Sequence, residues 1–227
     1  MNTLSLLLPH ALIAVVSLGA YTLAARAVDR AIKAFAAQSY LLALVAVIAA
    51  PKSEHPSHLW LLAGLTVVVK GIAVPIALTG ARRRLRITQE IEFIVNIPSS
   101  LLFAVVGTLG AFAVADQIPA LAHATLRGAV GAGLATMLVG LLIMLGRRKV
   151  ITQIIGLLMM ENGVIMCALG LTLGMPLIVE IGVALDVLVA VQILALFAYR
   201  MGGSLGAGEA PAAPPPATTT VPGVPLP

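Results

Sequence analysis

The sequence predicts an all-α fold, a polytopic integral membrane helix bundle with seven transmembrane helices, its N-terminus outside and its C-terminus cytoplasmic. The first observation is composition. Of 227 residues, 60% are hydrophobic and only 10% are charged, with a mean hydropathy of +1.07, whereas a soluble domain carries about 25% charged residues. The second is a series of seven near-continuous apolar stretches, each close to the roughly 20 residues that a bilayer core takes per helix. The third is the confinement of basic residues to alternate connections. So few charges could not cover a soluble surface, which excludes a soluble enzyme, a nucleic-acid binder and a disordered chain.

The stretches run over Leu4–Ala25, Ala31–Ala50, Leu59–Thr79, Ile91–Ala115, Leu126–Gly146, Val150–Leu173 and Leu177–Tyr199. Helices are required because hydrocarbon offers no partner to an unpaired backbone group, and the alternation of a membrane barrel is missing. The second stretch is the least apolar at its start, where Lys33 and Gln38 fall in its first turns. The first does not read as a signal peptide: nothing basic precedes it, and Arg26, Arg30 and Lys33 follow it.

With the N-terminus outside, the inner side receives Arg26, Arg30, Lys33, Arg82, Arg83, Arg84, Arg86, Arg147, Arg148, Lys149 and Arg200, eleven of the fourteen basic residues. The outer side receives Lys52 and Arg127, and Lys70 stays within the third span. That asymmetry is the positive-inside pattern of a multi-pass membrane protein with a cytoplasmic C-terminus. It divides the chain into an N-terminal four-helix region (1–124), a three-helix region (125–200) and a tail (201–227). Met201–Pro227 holds seven of the fourteen prolines and reads as a disordered cytoplasmic extension.

Function is sought in the polar exceptions within the apolar spans, since a charge at bilayer depth costs about 2.5–3.5 kcal/mol even on lenient scales. Lys70, Glu161 and Asp186 fall near the middle of their spans, and Glu180 lies one turn inside the outer end of the last. Lys70 reads either as a proton-accepting amine or tuning cation, or as half of a structural ion pair with an acid on another helix. For Glu161, burial favours the neutral form and a basic neighbour the charged one, and this competition suits a proton site. Asp186 and Glu180 are six residues apart and do not share a helix face. All four residues are candidates for proton relay or coupling. Gly156, Gly163 and Gly170 recur every seven residues and make a face for close helix approach. Pro98, with Asn96, Ser99 and Ser100, is a candidate kink in the fourth span, and Pro75 would release a backbone carbonyl in the third.

Other chemistry is poorly represented. His10, His55, His58 and His123 are scattered along the outer side, and Cys167 is the sole cysteine. Neither pattern makes a metal site, and no phosphate loop, zinc-protease motif or nucleophile elbow occurs. Neither a catalytic residue nor a cofactor is expected in this chain.

The segment GRRKVITQIIGLLMMENGVIM, followed by LTLGMPLIVEIGVALDVLVAVQILALFAYR, resembles membrane component E of hydrogenase-4 type complexes. This three-span part also resembles the K subunit of respiratory complex I and the C subunit of multisubunit sodium/proton antiporters. In the K-like pattern, glycine, leucine and then an acid, the acid position falls here on Leu158, and Glu161 lies three residues later. The acid of the following helix aligns with Asp186. The resemblance implies a non-catalytic membrane-arm subunit of a complex-I-related respiratory oxidoreductase of the hydrogenase or formate hydrogenlyase type. It implies antiporter-like membrane subunits, a complex-I-H-like membrane subunit and hydrogenase-like peripheral subunits as partners, besides lipids, with no nucleic acid. It places a nickel–iron centre and iron–sulfur clusters in those partners.

The expected function is therefore a contribution to proton translocation, or coupling between redox chemistry and ion movement. The alternatives are a purely structural scaffold joining antiporter-like subunits to the hydrogenase module, or an autonomous small-solute or ion transporter. The last is disfavoured because no two-fold internal repeat is visible.

Overall fold

Long apolar helices account for nearly all of the computed structural model, which describes residues 3–53, 55–84, 96–118 and 126–172. The helices are α1 (Thr3–Ala24), α2 (Val28–Ala49), α3 (Pro56–Leu65), α4 (Val74–Arg84), α5 (Ile97–Gln117), α6 (Arg127–Gly146) and α7 (Val150–Thr172). A π-helical stretch, Thr66–Ala73, joins α3 to α4 without a break, so that Pro56–Arg83 forms one span. Six spans are therefore long and apolar enough to cross a membrane among the described residues. The predicted seventh span, Leu177–Tyr199, lies outside them.

Among the described residues, the turns from α1 to α2 and from α6 to α7 are short. Asp29 occupies the first turn of α2, where the helix dipole favours an acid, and it accepts an ion pair from Arg82 of α4 at 2.8 Å. Pro51 falls in a 3-10 turn, Ala50–Lys52, that ends α2, and Pro56 opens α3 at a position whose missing N–H has no helical partner in any case. Arg147, between α6 and α7, is the largest fully buried side chain among the described residues, and its guanidinium donates to the Leu23 carbonyl at the end of α1. Burial pushes that guanidinium down to about 10, which leaves it charged at neutral pH. These contacts bring the α1–α2 turn, the end of α4 and the α6–α7 turn to one basic end of the bundle.

The core mixes the two halves of the sequence. One cluster takes Leu12 and Val15 from α1, Leu42 and Val45 from α2, Leu59 and Leu62 from α3, Ala129 and Ala132 from α6, and Met166 and Leu169 from α7. The predicted N-terminal and C-terminal regions thus share one core, within a compact unit, Met1–Ile193, that holds every described residue. The α6–α7 pair has the most extensive contact, α5 packs outside α6, and the third span packs outside α2. Much of α5 turns outward, with Leu102, Phe103, Val106 and Leu109 exposed. This is the expected state of a helix whose environment is lipid.

Small residues bring α6 and α7 together. A Cβ placed on Gly140 would sit 2.6 Å from the Gly156 carbonyl oxygen, and one on Gly163 would sit 2.6 Å from that of Gly133. A Cβ on Gly170 would meet Val130 at 2.5 Å. Backbone lies directly on backbone along this seam. In a bilayer, where helices gain no hydrophobic energy from one another, such close contact is a main source of association.

Candidate functional site

The third span is built around Lys70. Its backbone follows π geometry, with the Val74 N–H donating to the Val69 carbonyl, and wide turns of this kind often accompany functional positions. Pro75 has no N–H to answer the Gly71 carbonyl in α geometry. The Tyr40 hydroxyl of α2 donates to that carbonyl at 3.0 Å instead. A Cβ on Gly71 would lie 2.7 Å from the Tyr40 ring, so glycine is what admits the tyrosine. Proline, glycine and tyrosine together stabilise an opened turn next to the lysine.

Lys70 Nζ lies 3.1 Å from Glu161 Oε1 and donates to Asn162 Oδ1 at 3.2 Å. The Asn162 amide donates to Gln38 Oε1 at 3.3 Å and to Ser39 Oγ at 3.4 Å. Gln38 in turn donates to the Val15 carbonyl of α1 at 3.1 Å, and Ser39 to the Phe35 carbonyl at 3.0 Å. All five side chains are sheltered: Lys70, Gln38 and Ser39 are 0% exposed, Asn162 1% and Glu161 4%. A polar chain therefore runs from α1 through α2 and α7 to the third span. Each link is a group able to donate or accept a proton or a hydrogen bond.

The sequence-derived candidates divide between this site and other places. Lys70 and Glu161, more than ninety positions apart, are brought into direct contact. Gly156, Gly163 and Gly170 lie on the side of α7 that meets α6. Pro98 is the second residue of α5 and is exposed, following Asn96, whose backbone is extended at φ −58° and ψ 140°. The missing N–H of Pro98 therefore falls in the first turn of α5. Asp186 and Glu180 lie outside the described residues. Among the described residues, no three His, Cys, Asp or Glu side chains converge as metal ligands.

Sequence reasoning passed over Gln38, Ser39, Tyr40 and Gly71 as site residues. Their signal was visible, because a Gln-Ser-Tyr run within an otherwise apolar span needs hydrogen-bond partners once buried. It also passed over Gly133 and Gly140, which repeat the seven-residue spacing seen on α7.

Six apolar spans among the described residues, four of them joined by a sheltered polar network, define a multi-pass integral membrane protein. Over 113 residues the chain is 39% identical to an uncharacterised protein of Mycobacterium tuberculosis, covering 50% of this chain and 51% of that protein. Over 144 residues it is 34% identical to hydrogenase-4 component E of Escherichia coli, covering 59% of this chain and 62% of that one. Component E of Shigella flexneri matches to the same extent. The chain is thus a distant homologue of hydrogenase-4 component E, and the matches span about half to three-fifths of the length of these relatives. No family model and no solved structure matches.

Proposed function

We propose that this chain is a membrane subunit of a hydrogenase-type complex and that its Lys70–Glu161 pair is part of a proton path coupled to the redox chemistry of that complex. The observation that carries the reading is the buried ion pair at 3.1 Å, continued by Asn162 and Gln38 across four spans. Moving one proton from the lysine to the glutamate converts a charged pair to a neutral one over a single hydrogen-bond length. The site can therefore respond to a charge arriving nearby without importing an ion. Similarity to hydrogenase-4 component E supports membership of such an assembly. In this reading the basic end, with Arg82 and Arg147, faces the cytoplasm. The nickel–iron centre and iron–sulfur clusters belong to peripheral partners, and antiporter-like subunits neighbour this one in a complex-I-like membrane arm. Asp186 and Glu180 extend the path from the seventh span.

The test is the intact complex in sealed vesicles carrying Glu161→Gln, with Asp186→Asn beside it. The amide keeps the size of the acid and removes its ability to take a proton. Proton uptake driven by redox turnover is expected to fall to a small fraction of the parent while subunit composition is retained. Unchanged proton movement in an assembled complex defeats the proposal.

A second reading, a purely structural scaffold, is favoured by the α6–α7 seam, where glycine backbones meet with no space for a methyl group. It expects deletion of the chain to dissociate the complex and Glu161→Gln to leave coupling intact.

A further inference from the structure

Between α2 and the third span lies an open groove of about 500 Å³. Its walls are mostly apolar, from Ala36 on α2 and Pro75 and Gly80 on α4, with Tyr40 and Gly71 at its inner limit. Lys33 and Arg83 line its other end, and both are exposed. Neither makes an ion pair with a described residue, whereas the adjacent Arg82 is already held by Asp29 at 2.8 Å. That ion pair also fixes which end this is: it joins the first turn of α2 to the last turn of α4, at the basic end of the bundle.

We infer that this groove is a binding site for an anionic phospholipid, its acyl chain lying along Ala36, Pro75 and Gly80 and its phosphate held by Lys33 and Arg83. The arrangement matches the ligand in order as well as in charge. Two cations stand where a helix leaves the bilayer, and an apolar trough runs from them toward the membrane centre. From Arg83 to Gly71 is twelve residues of helix, about 18 Å of rise, which is the depth of more than half a bilayer core of about 30 Å. A single acyl chain is narrow enough to lie along the full length. The cationic rim also has no counterpart for an apolar transmembrane partner, whereas basic pockets between helices suit anionic headgroups.

The experiment is native mass spectrometry of the full chain released from micelles doped with equal amounts of phosphatidylglycerol and phosphatidylcholine. Two cations near the headgroup favour the anionic lipid by about thirtyfold. The parent should retain phosphatidylglycerol by that margin, and Lys33→Gln with Arg83→Gln should abolish the preference. Arg148→Gln, which removes an exposed cation elsewhere at the same end, should leave it intact. Gly80→Leu tests the trough: a Cβ there meets nothing within 4 Å, so the helix accepts the side chain while the groove fills. Retention of either lipid should then drop at least several-fold. A photo-crosslinker at position 76 in the intact complex should capture lipid. Equal retention of the two lipids by the parent overturns the inference, as does a preference unchanged in the double variant or lost in Arg148→Gln. Capture of a protein subunit at position 76 overturns it as well.

Discussion

Removing one member of the Lys70–Glu161 pair should cost more stability than removing both. At a separation of 3.1 Å and an effective dielectric constant of about 20, the two charges attract by about 5 kcal/mol. Taking both out of water costs a comparable amount, so the pair is worth little against an apolar pair of similar volume, while a single stranded charge costs about 3–5 kcal/mol. Lys70→Met and Glu161→Leu are each expected to destabilise within that range. Lys70→Met with Glu161→Leu leaves no charge and removes chiefly the donor to Asn162 Oδ1, for a loss of about 1–2 kcal/mol. The assay is equilibrium unfolding of the full chain in mixed micelles for the four members of the cycle, in one buffer at neutral pH. Losses below about 1 kcal/mol for both single variants, or a double variant equal to their sum, would refute the argument that these charges are paired and dry.

Along the α6–α7 seam, Gly163→Ala should destabilise by about 1–3 kcal/mol because its methyl group would press on the Gly133 carbonyl oxygen and the Met137 backbone nitrogen, which cannot yield as the Met137 side chain can. Gly110→Ala, where a Cβ meets nothing within 4 Å, should be neutral or stabilising by up to about 1 kcal/mol; the same unfolding assay compares them. Tyr40→Phe should cost about 0.5–1.5 kcal/mol by leaving the Gly71 carbonyl without its donor. Amide exchange across Thr66–Ala73 should rise in that variant, and unchanged exchange would count against the tyrosine as the support of the π turn.

The spans were legible in sequence because the bilayer imposes a length, and that length marks depth. Lys70 and Glu161 could be placed near mid-membrane from apolar residues alone. Depth is a single coordinate, however, and a hydrogen bond needs direction as well. The sequence left Lys70 between a proton-accepting amine and a structural ion pair, and no spacing rule links it to Glu161 or joins Asn162 to Gln38. The π turn rotates the helix relative to an α-helical count, so a helical wheel drawn through Thr66–Ala73 misplaces the side chains of α4. Pro98 illustrates the same limit, since its meaning depends on whether the helix starts before or after Asn96.

What the sequence by itself determined, among the described residues, is the six apolar stretches long enough to cross a bilayer and the positions of Lys70 and Glu161 along theirs. The free energy of transferring each segment into hydrocarbon depends almost wholly on that segment. Tertiary structure alone decided which charges meet, which glycines oppose Gly156 and Gly163, and how the Gly71 carbonyl is satisfied. Those outcomes depend on the rotation and neighbours of whole helices. In a bilayer they are selected by close contact and hydrogen bonding between spans, after hydrophobicity has already put every span at its depth.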